Sequence, residues 1–439
     1  MDDYRNWRAY QRKLQKEALR KGFLRRNLWL FLPAAVFLIL GAQLLGVNLS
    51  TGSHTKTPGV KEHLAGESDS AGFAKKDFWG LIDRQTLLDG SALRVEYLGT
   101  PYTLETTIDA PLQRYMSDKL RVAKSPLVGF VAMDPANGHV LSLIDQSNMP
   151  GVDSVCLSGQ FPAASIFKIV SAGAAIEDCA LRADTPLTYS GRKHTLYKNQ
   201  LTDRKNRWTN EVSLRDAFAL SINPTFGKLG IFRLKKDLLE AYAARFGFNE
   251  PIDFELRIEP SRFSAGDDSY RWAEMASGFN RETVISPIHG AMIAAAVLNG
   301  GKLLEPTIVK TMANGENEPV YCGNGRIVRQ VVSPETSREM KKLMEATISR
   351  GTSRRAFRGY RRDRVLSKLS LGGKTGSIKN KSGELFYDWF VGFGADKNGG
   401  RQLALAVLVV HDNLVRTRAQ EFARLALRRY FEQPSAGRS

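Results

Sequence analysis

The segment FPAASIFKIVSAGAAIE, Phe161 to Glu177, decides how the rest of the chain is read. Ile166, Phe167, Ile169, Val170 and Ile176, with alanines between them, leave almost no polar face. A helix that is apolar all round is a buried one. Yet this one carries a full-length cation, Lys168, three residues after Ser165. Residues three apart share a helix face. The hydroxyl and the amine therefore point into one partly desolvated site, as a nucleophile and its base require. A Ser-x-x-Lys pair is weak evidence alone, because a lysine can snorkel from a helix edge to water.

The chain has 439 residues, 43% hydrophobic and 25% charged, so a sizeable core is available. Its net charge of +18 suits an anionic partner. Residues Leu28 to Val47 contain no charge and are long enough to cross a bilayer core. Nine Lys or Arg precede them, against Asp2, Asp3 and Glu17. By the positive-inside rule the N-terminus is cytoplasmic and the chain after Val47 lies outside. The apolar region is long and no clear A-x-A site follows it, which favours a retained anchor over a cleaved signal peptide. Tyr4, Trp7, Tyr10, Leu14 and Ala18 recur at near-helical spacing, which fits either an amphipathic helix on the inner leaflet or a solvated tail. An extracytoplasmic location makes nucleic acid a poor partner and leaves anionic lipid or cell-wall polymer. Cys156, Cys179 and Cys322 are too few and odd in number for a complete set of bridges, so they read as buried free thiols. No His/Cys cluster has metal-site spacing, and no metal is inferred.

The expected organisation is a basic tail (1–27), an anchor (28–47), a polar linker (48–77), a short stub (78–103) and one large domain (104–434). Asp109 with Pro111 starts a helix. Leu127–Met133 and His139–Ile144 form a hairpin around Pro-Ala-Asn-Gly. Ser213, Ser286-Pro287 and Ser333-Pro334 are helix starts, and Gly300-Gly301 and Gly351 are stops. GGKTGSIKN, YDWFVGFGA and LALAVLVVH read as strands, and RTRAQEFARLALRRYF reads as an amphipathic closing helix. Strands at both ends with helices between them predict an α/β (α+β) architecture, an antiparallel sheet joined by a helical lobe.

Two further motifs accompany the first. Ser221 and Asn223 lie at a helix–helix junction, where Ser-x-Asn alone would be a capping turn. LGGKTGS places Lys374 on a strand, followed by Thr375, Gly376 and Ser377. It is not a phosphate loop, because Lys368 stands where a Walker motif needs its first glycine. Ser-x-x-Lys, Ser-x-Asn and Lys-Thr-Gly in this order match the set of class A β-lactamases and penicillin-binding proteins. The sequence resembles the transpeptidase domain of the penicillin-binding proteins. The resemblance runs from about Leu104 to Phe431 and includes TTIDAPLQ, MDPANGHVLSLI, TVISPIHGAMIAAAVLNGGKLLEP, ISRGTSRRA and YDWFVGFGA. Fewer than 60 residues separate the apolar run from TTID. That leaves no room for the glycosyltransferase domain of class A members, and only a stub where class B members carry a pedestal.

The resemblance implies a β-lactamase/transpeptidase-like fold and a D,D-transpeptidase that cross-links peptidoglycan stem peptides ending in D-Ala-D-Ala and is acylated by β-lactams. Ser165 would be the nucleophile and Lys168 its base, kept neutral by burial and by the cation of Lys374. Ser221 would relay a proton to the leaving amine. Asn223 would hold the donor amide, and Lys374, Thr375, Gly376 and Ser377 the terminal carboxylate. Backbone N–H groups of Ser165 and Ser377 would form the oxyanion hole. No cofactor is implied. The partners implied are the cytoplasmic membrane and a separate glycan polymerase, which a monofunctional cross-linker needs.

A D,D-carboxypeptidase would use the same residues with water as acceptor. A β-lactam receptor would be acylated without cross-linking, although a tail of about 26 residues leaves little room for an output domain. A class A β-lactamase needs a deacylating glutamate, and Glu255 and Glu259 lack its context. A class D enzyme would carry Ser-x-Val. His289 and His411 match no catalytic position, and the basic stretch Ser353–Arg364 reads as either a solvated loop or an anion contact.

Overall fold

Strands from both ends of the large domain form one five-stranded antiparallel sheet. The computed structural model describes residues 73–83, 92–412 and 414–432, all within one compact unit, Asp69–Ser439. In chain order its main elements are α1 (Ala110–Arg121), β1 (Leu127–Met133), β2 (Val140–Ser147) and α2 (Lys168–Glu177). Helices α3 (Leu214–Ala219), α4 (Asn223–Leu229), α5 (Lys235–Arg245), α6 (Ser269–Ser277), α7 (Pro287–Leu298) and α8 (Pro334–Ser349) follow. Strands β3 (Leu369–Lys379), β4 (Phe386–Asp396) and β5 (Gln402–His411) and helix α9 (Ala419–Glu432) close the domain. The sheet order is β3-β4-β5-β1-β2.

Many antiparallel sheets leave one face to water, but both faces of this one are covered. On one side Val128, Phe130, Leu405 and Val407 pack with Leu112 and Met116 of α1 and Phe422 and Leu427 of α9. On the other, Val131, Met133, Ala406 and Leu408 join the core that contains α2 and α7. That double burial explains why β1 and β5 read as continuous apolar runs rather than alternating ones. The predicted caps form: Asp109, Ser213, Ser286 and Ser333 each accept a backbone N–H from the first turn of their helix.

Three local expectations change. The hairpin's second strand starts at Val140 and extends to Ser147, because Asp145, Gln146 and Ser147 continue the ladder opposite Gly129, Val128 and Leu127. The segment from Phe161 is not one helix. Phe161–Pro162 pairs with Val284–Ile285, a 3-10 turn covers Ala164–Phe167, and the α-helix begins at Lys168. The three cysteines are free, but only Cys156 is buried; Cys179 is half-buried and Cys322 exposed.

A second sheet of four strands contains the hairpin Leu93–Tyr97/Thr100–Thr106, which crosses the expected 103/104 boundary and pairs with Val309–Ala313. The anchor at 28–47 and the basic tail lie outside the described residues. Among the described residues, no helix is long and apolar enough to cross a membrane.

One buried contact ties the sheet to the segment that holds Ser165. Trp389 of β4 is fully buried, and its Nε1–H donates to the Pro162 carbonyl at 2.9 Å. Trp389→Phe removes the donor and leaves that carbonyl unpaired, a cost of about 1–3 kcal/mol. Urea unfolding should show a correspondingly lower midpoint at unchanged slope, and an unchanged midpoint would refute the coupling.

Candidate active site

Three pieces of chain converge at the open edge of the sheet. The first is the turn before α2. Ala164 has φ +47°, a conformation uncommon for a residue with a Cβ. Gly278, just after α6, permits it, since a Cβ there would lie 1.9 Å from the Ala164 carbonyl oxygen and 3.1 Å from the Ser165 nitrogen. Ser165 is thereby held half-exposed, while Lys168 one turn later is fully buried.

The second piece is the α3–α4 junction. The Ser221 N–H donates to Phe218 O and the Ile222 N–H to Ala217 O, the two bonds of a Schellman motif. Ser221 occupies its left-handed position with φ +55°, where glycine is usual. The third is β3, whose Gly372 and Gly373 seat the rings of Phe393 and Phe390; a Cβ at either glycine would lie 2.3 Å from a ring carbon. The pair is a packing device, and no phosphate loop is involved. Gly376 on the same strand brings it close to Ile166 and to the Ala163 carbonyl.

These pieces place the side chains in a continuous network. Lys168 Nζ lies 2.8 Å from Ser165 Oγ and 2.8 Å from Asn223 Oδ1, and it also donates to the Ser277 carbonyl. Ser221 Oγ is 3.0 Å from Ser165 Oγ and 3.0 Å from Lys374 Nζ. Lys374 also donates to the Thr375 carbonyl at 2.8 Å. Both lysines are fully buried and each lies over an aromatic ring, Phe226 for Lys168 and Phe218 for Lys374. Burial disfavours the ammonium form of both. It lowers Lys374 to about 7. Lys168 is pushed well below the usual lysine range, first by burial and then by the charge of Lys374.

A neutral amine has two hydrogens and one lone pair. Asn223 Oδ1 and the Ser277 carbonyl can accept both Lys168 hydrogens, leaving the lone pair for the Ser165 hydroxyl. The arrangement is chemically able to remove a proton from a serine in a water-poor site.

A cleft of about 530 Å³ opens over this network and is lined by Ser165, Ser221, Asn223, Thr375 and Ser377. The two lysines lie behind it. His194, Phe279, Thr352 and Arg418 also line the cleft, and sequence reasoning missed all four. Thr352 Oγ1 is 2.6 Å from Thr375 Oγ1. Arg418 forms a bidentate pair with buried Asp388 through Nε and Nη2, both at 2.8 Å, and its Nη2 is 3.4 Å from Ser377 Oγ. The only advance signal was that Asp388 lies in the YDWF strand and Arg418 immediately before the closing helix.

The residues set aside in the sequence lie elsewhere. His289 is buried between Ser261 Oγ at 2.7 Å and Phe246 O at 2.6 Å, and burial lowers it to about 4. His411 is buried against Phe386. Glu255 is bonded to Thr307, Ile308 and Tyr321, and Glu259 to Ser158 and Gln160, so neither faces the cleft.

A lysine in an unfolded chain titrates near ~10.4, while Lys374 in the folded protein titrates at about 7. Between these values the unfolded state binds more protons, so folding stability rises with pH across that window. In urea unfolding at pH 7 and pH 10, the parent should gain more on alkalinisation than Lys374→Met does. Equal gains would contradict the buried, depressed amine.

Comparison with known proteins agrees with this geometry. Residues 128–427 match the family described as penicillin binding protein transpeptidase domain. Stage V sporulation protein D of Bacillus subtilis is 26% identical over 307 residues, 63% of this chain and 44% of that protein. Peptidoglycan D,D-transpeptidase PbpA of Mycobacterium tuberculosis is 24% identical over 342 residues, 70% of this chain and 67% of that protein. The chain thus spans less than half the length of the first relative and about two thirds of the second. The D,D-transpeptidase domain of a peptidoglycan glycosyltransferase from Eggerthella lenta has a TM-score of 0.61 at 23% identity, covering 75% of this chain and 82% of that one. The ceftriaxone acyl-enzyme of penicillin-binding protein A from M. tuberculosis gives 0.60 at 22% identity, covering 75% and 79%. The fold is therefore the transpeptidase fold expected from the three motifs. With a family match that takes in more than half of its length, Ser165, Ser221 and Lys374 included, this chain belongs to the penicillin-binding protein transpeptidase domain family.

Proposed function

We propose that the protein is a serine D,D-transpeptidase that cross-links peptidoglycan stem peptides and is acylated by β-lactams. The observation that carries the reading is the fully buried Lys168 amine at 2.8 Å from Ser165 Oγ, with the buried amine of Lys374 one hydroxyl away. The PbpA relative is named a D,D-transpeptidase, and penicillin-binding protein A has been solved as ceftriaxone, imipenem and penicillin G acyl-enzymes.

In this reading Ser165 Oγ attacks the carbonyl carbon of the penultimate D-alanine while its proton passes to Lys168. The oxyanion is held by backbone N–H groups of Ser165 and Ser377, a type of contact that contributes several kcal/mol in acyl transfer (about 2.7–4 for one donor). The C–N bond then breaks, and Ser221 relays a proton to the departing D-alanine amine, its own hydrogen being replaced from the Lys374 ammonium that it contacts. Asn223 positions the donor amide while holding Lys168. Lys374, Thr375, Gly376 and Ser377 form the seat of the terminal carboxylate. An acceptor amine next attacks the acyl-serine and loses a proton through Ser221 to Lys374, while Lys168 returns its proton to the departing Ser165 Oγ and the cross-link forms. Leu28–Val47 anchors the chain in the cytoplasmic membrane with the catalytic domain outside, where a separate glycan polymerase supplies the strands. The charge-free run and the basic tail before it support that topology.

Ser165→Ala should fold normally and take up no fluorescent penicillin. Lys168→Met keeps much of the length and should acylate more slowly by about 10²–10⁴-fold, in protein that still folds and melts cooperatively. Normal labelling of both variants would end this reading. Product analysis by mass spectrometry, with and without an acceptor amine, separates cross-linking from hydrolysis.

Lys374→Ala relieves Lys168 of a neighbouring positive charge, so Lys168 regains its proton more readily. The rising limb of the acylation rate against pH should therefore move upward. A limb that stays in place would remove Lys374 from the electrostatic role.

Ser221→Gly places glycine in its preferred left-handed slot, and L-residues there cost roughly 1–2 kcal/mol. Its urea midpoint should be no lower than the parent's while acylation slows. A lower midpoint would mean that the hydroxyl's two bonds outweigh the backbone strain.

A further inference from the structure

The chemistry at Ser165 makes no use of SRRAFRGYRRDR, Ser353 to Arg364. The segment is held in place rather than loose. Phe357 is fully buried, with its ring stacked on Phe390 at 5.9 Å, and Arg424 Nη1 donates to Ala356 O at 2.9 Å. The fixed backbone shapes a groove of about 770 Å³ lined by Arg354, Arg355, Arg358, Arg361 and Arg362. All five are exposed. No carboxylate lines the groove, and among the described residues none of the five forms an ion pair. Gathering like charges opposes the compact state, and a bound anion relieves that repulsion.

Thr352 lines this groove and also the cleft over Ser165. Its hydroxyl touches that of Thr375 at 2.6 Å, so the two cavities meet at one side chain. An extended peptide advances about 3.3–3.6 Å per residue. The second and third residues upstream of an acyl carbon at Ser165 therefore lie roughly 7–11 Å away, within reach of a groove that begins at Thr352. Guanidinium forks match carboxylates in a bidentate manner.

We infer that this groove is an anion subsite continuous with the active site, which takes the free interior carboxylates of a stem peptide whose D-alanyl end lies at Ser165. The inference rests on the transpeptidase reading and narrows its substrate to peptides whose interior carboxylates are unmodified. A groove that shares the Thr352 side chain with the cleft suits an extension of the substrate better than it suits a flat layer of lipid headgroups.

The test uses the full chain with Ser165→Ala and two fluorescent pentapeptides ending in D-Ala-D-Ala, one with free interior carboxylates and one with primary amides. Anisotropy should show the acidic peptide binding at least tenfold tighter, with the preference shrinking as salt screens the charges. Arg354→Gln/Arg355→Gln/Arg358→Gln on the same background should reduce the preference below twofold. With Ser165 intact, the triple variant should be acylated by fluorescent penicillin at the parent's rate, because the drug does not extend into the groove. Equal binding of the two peptides, or a preference that survives the triple substitution, overturns the subsite. A variant that loses binding to phosphatidylglycerol vesicles while keeping the peptide preference also overturns it, in favour of a lipid contact. A parent chain that takes up no penicillin overturns the transpeptidase reading, a result read independently of the peptide preference.

Discussion

Two lysine side chains are buried within one hydroxyl of each other, and most of the molecule serves to keep them there. Removing an ammonium from water is costly, and two in one site repel as well. The pair relieves both costs by giving up protons more readily than free lysines do, since burial lowers both amines and the charge of Lys374 lowers Lys168 further. Lys374 has a carbonyl and a hydroxyl to donate to. Lys168 has Asn223, the Ser277 carbonyl and the Ser165 hydroxyl. These partners come from the turn before α2, the α3–α4 junction, the end of α6 and β3, so the surroundings of Ser165 depend on the whole domain closing correctly around α2.

The fold supplies that closure through rigid parts. The sheet is covered on both faces, so β3 cannot shift without disturbing the core on either side. The α2 helix is surrounded by α5, α6 and α8, which explains its apolar circumference and leaves Lys168 no route to water. Two of the eight non-glycine residues with left-handed angles among the described residues sit where the network is exposed. Ala164 and Ser221 both take left-handed backbone angles without being glycine, and each sits beside or at a residue that faces the cleft. Such outliers persist where surrounding structure over-determines them, and they cluster at functional sites.

Several features were legible because they are local or periodic. The helix caps at Asp109, Ser213, Ser286 and Ser333 are set by side chains within three residues of the N–H groups they satisfy. The all-round apolar character of α2 identified a buried helix, and the lone lysine within it identified the polar site. The 3-10 turn at Ala164–Phe167 was not legible. It depends on Gly278, more than a hundred residues away, and on a two-residue bridge to Val284–Ile285. Arg418 was missed for the same reason, since its orientation comes from a carboxylate on β4 that no spacing rule connects to it.

By itself the sequence determined which residue types make up the three motifs, their order along the chain, and the antiparallel strands and capped helices that bear them. These follow from side-chain pattern and near-neighbour hydrogen bonding. Only the tertiary structure decided that Ser165, Lys168, Ser221, Asn223 and Lys374 form one network, that Thr352 and Arg418 join the cleft, and that five arginines line a groove that shares Thr352 with it. Contacts between residues 56 and 153 positions apart are created by packing, and burial, which depresses both lysines, exists only once the core has closed.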